Sequence, residues 1–289
     1  MDAVTRIERT LSASLARAEG DCAPPLLLAA MRHAVFPRGA RVRPRLCLAV
    51  AAACHDDEPA ASEAAAAAIE LLHCASLVHD DLPCFDDADT RRSRPSVHRA
   101  YGVPLAVLAG DALIVLAFQT LAWGAGRRPE RLAALMHILG GAAGAPSGIA
   151  AGQAWESEPD PDLGAYQQAK TGALFVAATL AGAAAAGSET EPWRALGTHL
   201  GEAYQIADDI ADVISENAEL GKPAGRDAAF GRPNAALQMG MAGAIRLLED
   251  RAEAAADSIP PCPCAAPLRA LTLMEARRLL PRDLSKRAA

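Results

Sequence analysis

The chain has 289 residues and a formal net charge of −7, and 51% of its residues are hydrophobic while only 4% are aromatic. This length allows one large domain or two ordinary ones, with a core built mainly from alanine and leucine. The negative charge argues against nucleic acid as a partner.

Helical periodicity recurs along nearly the whole chain, alanine is the best helix former, and β-branched runs are scarce. The sequence therefore predicts an all-α fold in a single domain spanning residues 1–289, since no composition shift marks a boundary. The predicted helices are 2–18, 25–36, 40–54, 60–82, 98–124, 129–143, 147–156, 162–186, 190–216, 234–257 and 266–282. Two polar loops, 86–95 and 221–234, interrupt the series and contain proline.

Seven irregularly spaced cysteines and an N-terminus without signal-peptide features predict reduced thiols in a cytoplasmic protein. Cys262 and Cys264 could form half of a metal site, but no second ligand pair accompanies them, so a loop with two free thiols is favoured. No membrane span is predicted, because Asp111 interrupts the most apolar run, 103–118.

Two acidic clusters lie inside apolar helical stretches and consist of Asp80, Asp81 and Asp86, and of Asp208, Asp209 and Asp212. Carboxylates are costly to bury unless they are paired or bind metal. The last cluster has two carboxylates four residues apart, one turn along a helix face, where they can offer oxygens to Mg²⁺ without enclosing it. The clusters therefore predict two halves of one magnesium site. Nearby arginines and lysines suit a diphosphate.

The first cluster contains Pro83, which cannot continue the helical hydrogen-bond ladder. We expect the chain to bulge at this proline and to return Asp86 beside Asp80.

These residues resemble the two aspartate-rich motifs of the trans-isoprenyl diphosphate synthases. The first motif is the run 80–86 followed by Arg91 and Arg92, and the second is the run 205–212. Other landmarks match in the family's order, namely Arg41-Val42-Arg43-Pro44, His73, Gly152-Gln153, Lys170-Thr171-Gly172, Gly221-Lys222 and Gly225-Arg226-Asp227. The resemblance spans about residues 35–240 and is closest to the short bacterial geranylgeranyl diphosphate synthases.

The resemblance implies an isoprenoid synthase fold of about a dozen helices around a central cavity, and a homodimer. It implies that the two aspartate clusters face each other at the cavity mouth and hold Mg²⁺, three ions per active site, through the allylic diphosphate. The implied reaction is the head-to-tail (1′-4) condensation of isopentenyl diphosphate with an allylic diphosphate.

The resemblance also implies roles for single residues. Those expected to hold the allylic diphosphate are Arg91, Lys170 and Lys222. Those expected to hold isopentenyl diphosphate are Arg43, His73 and Arg92, and further substrate contacts are expected from Arg41 and Arg226. The residues expected to be catalytic are Lys170, Thr171 and Gln205, of which Thr171 and Gln205 are expected to lie near the allylic cation.

Two positions depart from the family's pattern. The family reads Gly-Gly-Lys-Arg-x-Arg-Pro where this chain reads Arg-Gly-Ala-Arg-Val-Arg-Pro at 38–44, so Ala40 replaces the usual lysine. One contact to isopentenyl diphosphate is then missing, for which Arg38 or Arg41 could compensate. Glu156 stands where an aspartate often follows the Gly-Gln pair.

Product length is expected to depend on the helix that precedes Asp80. One helical turn is about 5.4 Å, close to the length of an isoprene unit, so the residue five before this aspartate can act as a floor. That residue is Ala75, followed by Ser76, where short-product relatives often carry an aromatic side chain. Leu71 and Leu72, a turn deeper, are expected to stop growth near C20, as geranylgeranyl diphosphate.

Four alternatives stay open at this point. A farnesyl diphosphate synthase would run the same chemistry to C15. A class I terpene cyclase would share the first motif but carry a different second metal motif, and a non-catalytic modulating subunit of a prenyl synthase would tend to lose aspartates. The pair His79-Asp80 also occurs in metal-dependent phosphohydrolases, whose other histidine ligands are not evident here.

Overall fold

The protein is almost entirely helical. The computed structural model describes residues 2–20, 23–36, 39–217 and 234–279. Within these ranges the strands are confined to one short antiparallel pair, β1 (Thr90–Arg91) and β2 (Arg94–Pro95). The predicted all-α fold class is therefore confirmed.

The chain divides into two compact units, of which the first comprises Met1–Ala143 with Ala177–Thr190 and the second Gly144–Val176 with Glu191–Ala289. The prediction of one domain over residues 1–289 stays a prediction.

The first unit is built from long helices joined by short turns. Its helices are α1 (Ala3–Ala18), α2 (Pro25–Val35), α3 (Val42–Ala53), α4 (Pro59–Asp80), α5 (Val97–Tyr101), α6 (Val103–Ala125) and α7 (Pro129–Ala143).

The second unit contains more irregular helical turns. Its helical segments are α8 (Ile149–Ala154), a 3-10 turn (Trp155–Ser157), α9 (Leu163–Gln167), a π-helical turn (Gln168–Gly172), α10 (Ala173–Ala185), a second 3-10 turn (Glu191–Trp193), α11 (Arg194–Asn217), α12 (Ala235–Asp257) and α13 (Ala265–Leu279). The helix α10 begins in the second unit and ends in the first.

Helix α4 forms the centre of the first unit. Pro59 occupies its first turn, where a missing backbone N–H costs nothing, and a run of alanines follows. Residues 64–69 are all buried, as expected of a helix that is apolar on every side. Packing of α4 against α6 is close, because Gly124 lies directly over Ala60 and Ala64.

The structure divides the predicted helix 98–124 into α5 and α6. Gly102 between them has φ 87°, a left-handed conformation that glycine adopts readily, and Pro104 lies in the first turn of α6. The predicted helix 162–186 is continuous, but its middle turn is π-helical rather than α-helical.

The core of the second unit joins α11 to α12. Ile206 and Ile210 on α11 pack against Ala244 and Leu248 on α12. The N-terminal part of α12 is kinked at Gly240, which has φ 73°. In the turn before α13, Cys262 and Cys264 are half-buried thiols that form no disulfide.

Among the described residues, two helices are long and apolar enough to cross a membrane, although the sequence predicted none. In α4, 78% of the most apolar window is buried inside the protein, which accounts for its composition. In α6, only 44% of that window is buried.

We predict that Gly124→Ala destabilises the protein by about 1–3 kcal/mol, because core overpacking has costs of this size. The added Cβ would lie 2.2 Å from the Ala64 Cβ and 2.6 Å from the Ala60 carbonyl oxygen. Urea denaturation measures the free energy of unfolding.

Gly140→Ala on α7 is the matched control, because a Cβ there has no heavy atom within 4 Å. We expect it to stabilise the protein by about 0.5–1 kcal/mol through helix propensity. Equal stability of the two variants would contradict the close packing of α4 on α6.

Candidate active site

The first acidic cluster lies where α4 ends. Asp80 is the last residue of the helix, and Asp81 follows as its C-cap. After the break at Pro83 the chain turns back, and the Asp86 backbone N–H donates to the Asp80 carbonyl oxygen at 2.9 Å. The loop thus returns beside the helix end, where the sequence analysis expected it.

The structure places the three aspartates of this cluster in two different environments. Asp81 is only 2% exposed, and its carboxylate accepts hydrogen bonds from the Arg91 guanidinium, including one from Nε at 3.0 Å. Burial raises the pKa of the Asp81 carboxyl, and Arg91 opposes that rise. Asp80 and Asp86 are half-buried instead. The cluster therefore presents two accessible carboxylates beside one that is held by an arginine.

Three residues expected to hold isopentenyl diphosphate lie together in the first unit. The Arg43 Nη1 atom is 3.5 Å from the His73 Nε2 atom. Burial, followed by the charges of Arg43 and Arg92, lowers the pKa of His73 well below its usual value. His73 is therefore a neutral imidazole near pH 7, able to donate one hydrogen bond and accept another.

Arg41 is placed differently from these three residues. Its side chain is 1% exposed, and its guanidinium donates to Glu8, to Glu70 and to the Val35 carbonyl oxygen. Every nitrogen of this guanidinium therefore bonds within the protein. Arg38, the other residue considered as a replacement for the missing lysine, lies outside the described residues.

The second acidic cluster lies on α11 and also divides by burial. Asp208 and Asp212 are exposed one turn apart. Asp209 is 3% exposed, and its carboxylate accepts hydrogen bonds from Gln205 Nε2 at 3.0 Å and from the Ala235 backbone N–H at 2.9 Å. A carboxylate at a helix N-terminus is favourable, so Asp209 helps to fix the start of α12. Asn234 Nδ2 also donates to the Asp209 carbonyl oxygen at 3.0 Å.

The π-helical turn carries the lysine and threonine that the sequence singled out. A Cβ at Gly152 would lie 2.4 Å from the Lys170 backbone nitrogen, so α8 can approach this turn only through a glycine. Turns of this kind occur frequently at functional sites. Thr171 Oγ1 donates to Gln205 Oε1 at 2.7 Å, which joins the turn to the α11 cluster within the second unit.

Glu156, which stands where the family often has an aspartate, contacts two side chains of the segment that follows. Its carboxylate accepts hydrogen bonds from the Lys170 ammonium and from the Tyr166 hydroxyl, the latter at 2.8 Å. Glu156 therefore forms an ion pair with Lys170, one of the residues predicted to bind the allylic diphosphate.

The residues expected to set product length lie on α4. Ala75 and Leu72 are fully buried, and Ser76 is half-buried with its hydroxyl donating to the His73 carbonyl oxygen at 2.9 Å. The two remaining predicted contacts, Lys222 and Arg226, lie outside the described residues.

Two residues escaped the sequence analysis. Glu70 is 2% exposed in the middle of apolar α4, one turn before His73, and Tyr166 bonds to Glu156. An acidic residue inside an alanine and leucine run could have revealed Glu70, because a buried carboxylate needs a cationic partner. Nothing in the sequence distinguishes Tyr166.

The oxygen ligands of each cluster suit Mg²⁺. Within the described residues no group of three or more His, Cys, Asp or Glu side chains is arranged to hold a metal ion by itself. Mg²⁺ commonly takes one or two protein carboxylates and completes its shell with water and substrate phosphates. Two accessible carboxylates per cluster fit that pattern.

Comparison with known proteins agrees with this chemistry. The sequence pattern of the family described as Polyprenyl synthetase matches residues 24–256. The chain is 52% identical over 282 residues to a geranylgeranyl diphosphate synthase of Cereibacter sphaeroides, covering 98% of each chain. It is also 52% identical over 275 residues to one of Rhodobacter capsulatus, covering 95% of each.

A solved structure of a geranyltransferase from Legionella pneumophila is similar as well, with a TM-score of 0.80 and 26% identity over 96% of this chain and 94% of that one. The family match covers most of the chain, and the two bacterial relatives cover nearly all of it. This chain therefore belongs to the polyprenyl synthetase family of prenyltransferases.

Proposed function

We propose that this enzyme is a geranylgeranyl diphosphate synthase, which condenses isopentenyl diphosphate head to tail with allylic diphosphates up to C20. The observation that carries the proposal is the 52% identity, over nearly the full length, to two bacterial enzymes of that name. The environments of the predicted site residues support it.

The reaction must break a carbon–oxygen bond to diphosphate and leave an allylic cation. Fixed cations that neutralise charge on the leaving group lower this barrier. In the proposal Lys170 and Arg91 neutralise the charge on the leaving diphosphate. Lys170 is already positioned by its ion pair with Glu156, and Arg91 by its ion pair with Asp81. Bound Mg²⁺ would supply further charge neutralisation at the same group.

Metal binding is assigned to the four accessible carboxylates of the two clusters. They are Asp80, Asp86, Asp208 and Asp212. Asp81 and Asp209, which the sequence pattern groups with them, are almost fully buried, and they are proposed instead to position Arg91 and the start of α12, which their carboxylates contact.

The cation is expected to lie near Thr171. The Thr171 hydroxyl donates a hydrogen bond to Gln205 Oε1. The lone pairs of the threonine oxygen are therefore directed elsewhere and can stabilise a developing positive charge. Isopentenyl diphosphate would bind at Arg43, His73 and Arg92, and its double bond would attack the cation. The proton lost afterwards would pass to the released diphosphate.

The described cysteines are free thiols, which suits a reducing compartment, so the proposal places the enzyme in the cytoplasm.

The reaction can be tested with purified protein, labelled isopentenyl diphosphate and each allylic primer. We expect chain elongation ending at C20, loss of activity with EDTA and its return with Mg²⁺. Chromatography of the dephosphorylated products gives their length. A product that ends at C15 would favour a farnesyl diphosphate synthase, and no elongation with any primer would favour a modulating subunit.

The product length is proposed to depend on Ala75. In the proposal the growing prenyl chain runs beside α4, and a large side chain at this fully buried position would shorten the space left for it. We expect Ala75→Tyr to shift the main product from C20 to C15, with Ala75→Leu intermediate. Product analysis alongside the melting temperature separates this effect from unfolding, and unchanged C20 output from a folded Ala75→Tyr variant would refute the ruler.

We also propose that the enzyme is a homodimer that covers α6. This helix exposes five large apolar side chains, Val103, Val107, Leu108, Val115 and Trp123, each at least 38% exposed. Apolar side chains grouped on one helix commonly mark an association surface.

Light scattering should give about twice the chain mass of 29.9 kDa. Val115→Glu is expected to shift the protein towards a monomer. Met274→Glu on α13, where the native side chain is 43% exposed, should leave the mass unchanged. A wild-type monomer would overturn the proposal.

A further inference from the structure

A buried carboxylate links the fold of the first unit to the arginines of its predicted substrate site. Glu70 lies on α4 with a side chain only 3% exposed, and it accepts a hydrogen bond from Arg41 Nη1. The same Glu70 oxygen, Oε1, is 4.0 Å from Arg92 Nη2. The Glu70 carboxylate therefore forms ion pairs with two guanidinium groups, a close one with Arg41 and a longer one with Arg92.

Arg41 is the guanidinium of the pair that is held in place by several other groups of the protein. It begins α3 in a left-handed conformation with φ 53°, and its guanidinium also bonds Glu8 on α1 and the Val35 carbonyl oxygen at the end of α2. Although burial acts to lower it, the charge of Glu70 and the bond to Glu8 raise the pKa of Arg41. Arg41 is thus a permanent cation that holds Glu70 in one position.

Arg92 provides the side that faces the substrate. Its guanidinium lies against Gly39, where an added Cβ would be 2.7 Å from Nη2. It also contacts the Cys74 thiol, whose pKa burial raises to about 12, so that sulfur is uncharged. The negative charge that attracts the Arg92 guanidinium towards Gly39 and Cys74 therefore comes from Glu70.

We infer that Glu70 is a positioning residue for isopentenyl diphosphate, acting through Arg92, and that Arg41 anchors it rather than binding substrate. This inference rests on the proposed function. At position 40 the chain has alanine where the family's pattern has a lysine, so one cation fewer is available there and the position of Arg92 should matter more.

The physical reason is charge balance. Arg41, Arg43 and Arg92 converge around His73, and like charges in a partly buried site repel one another. Without Glu70 the Arg92 guanidinium would move outwards into solvent, and its ordering would have to occur during substrate binding. The effect should therefore appear in the KM for isopentenyl diphosphate.

Glu70→Gln tests this directly, since it keeps the shape and removes the charge. We expect the KM for isopentenyl diphosphate to rise about tenfold, equivalent to about 1.4 kcal/mol, with kcat and the allylic KM within about twofold of wild type. Glu8→Gln is the matched control, because Glu8 also bonds Arg41 but is not among the groups that contact Arg92. Both variants should lower the melting temperature, but only Glu70→Gln should raise this KM.

Gly39→Ala gives a second, independent variant should Glu70→Gln fail to fold. Its methyl group would lie 2.7 Å from Arg92 Nη2 and would displace that guanidinium, so the same KM should rise. In an Arg92→Gln background, Glu70→Gln should add little, since two residues acting through one group are not additive.

A KM within twofold of wild type for Glu70→Gln, an equal rise for Glu8→Gln, or additive effects with Arg92→Gln would each overturn the inference. Failure of the proposed function is distinguishable, because the wild-type enzyme would then give no elongated product at all.

Discussion

The first unit is constrained above all by the burial of α4. A helix that is surrounded by protein can carry polar side chains only where each finds a partner of complementary charge. On α4 the side chains of Glu70, His73 and Asp80 lie on one side of the helix, at spacings of three and seven residues, and Asp81 follows directly after them. Partners come from elsewhere in the unit.

Those partners are arginines that the rest of the unit supplies. Arg41 bonds Glu70, Arg43 contacts His73 and Arg91 bonds Asp81. The ion pairs that compensate the buried carboxylates of α4 therefore also place arginines beside this helix. In the proposal Arg43 and Arg91 contact the substrates, and both are positioned by contacts within the protein before a substrate arrives.

Much of the fold could be predicted because its signals are local. The ends of α1, α4 and α12 lie within two residues of the predicted limits, since proline, glycine and capping residues act over a few positions. The break at Gly102 was missed although Pro104 beside it is a local signal. The sequence did not predict which aspartates of each cluster are buried. Asp81 and Asp209 are the same residue type as their neighbours, and only the tertiary structure buries them.

The π-helical turn was missed for a different reason. The run 162–186 has the composition of an ordinary helix, and what distinguishes Gln168–Gly172 is the contact with Gly152, which lies on α8. Arg41 likewise reads as one of several arginines until Glu70, 29 residues later, is seen to bond it. Such pairings depend on tertiary contacts, which periodicity does not encode.

Two glycines of the recognised motifs lie where such tertiary contacts leave little room for a side chain, so the sequence does indicate these contacts indirectly. Gly39 is needed where the Arg92 guanidinium presses on the backbone, and Gly152 where the Lys170 backbone does. In each case the absent Cβ leaves room for a residue that the proposal places on a diphosphate. A motif glycine and a distant cation are therefore coupled in two ways, because a methyl group at Gly39 would displace the Arg92 guanidinium itself, whereas one at Gly152 would displace the backbone that carries Lys170.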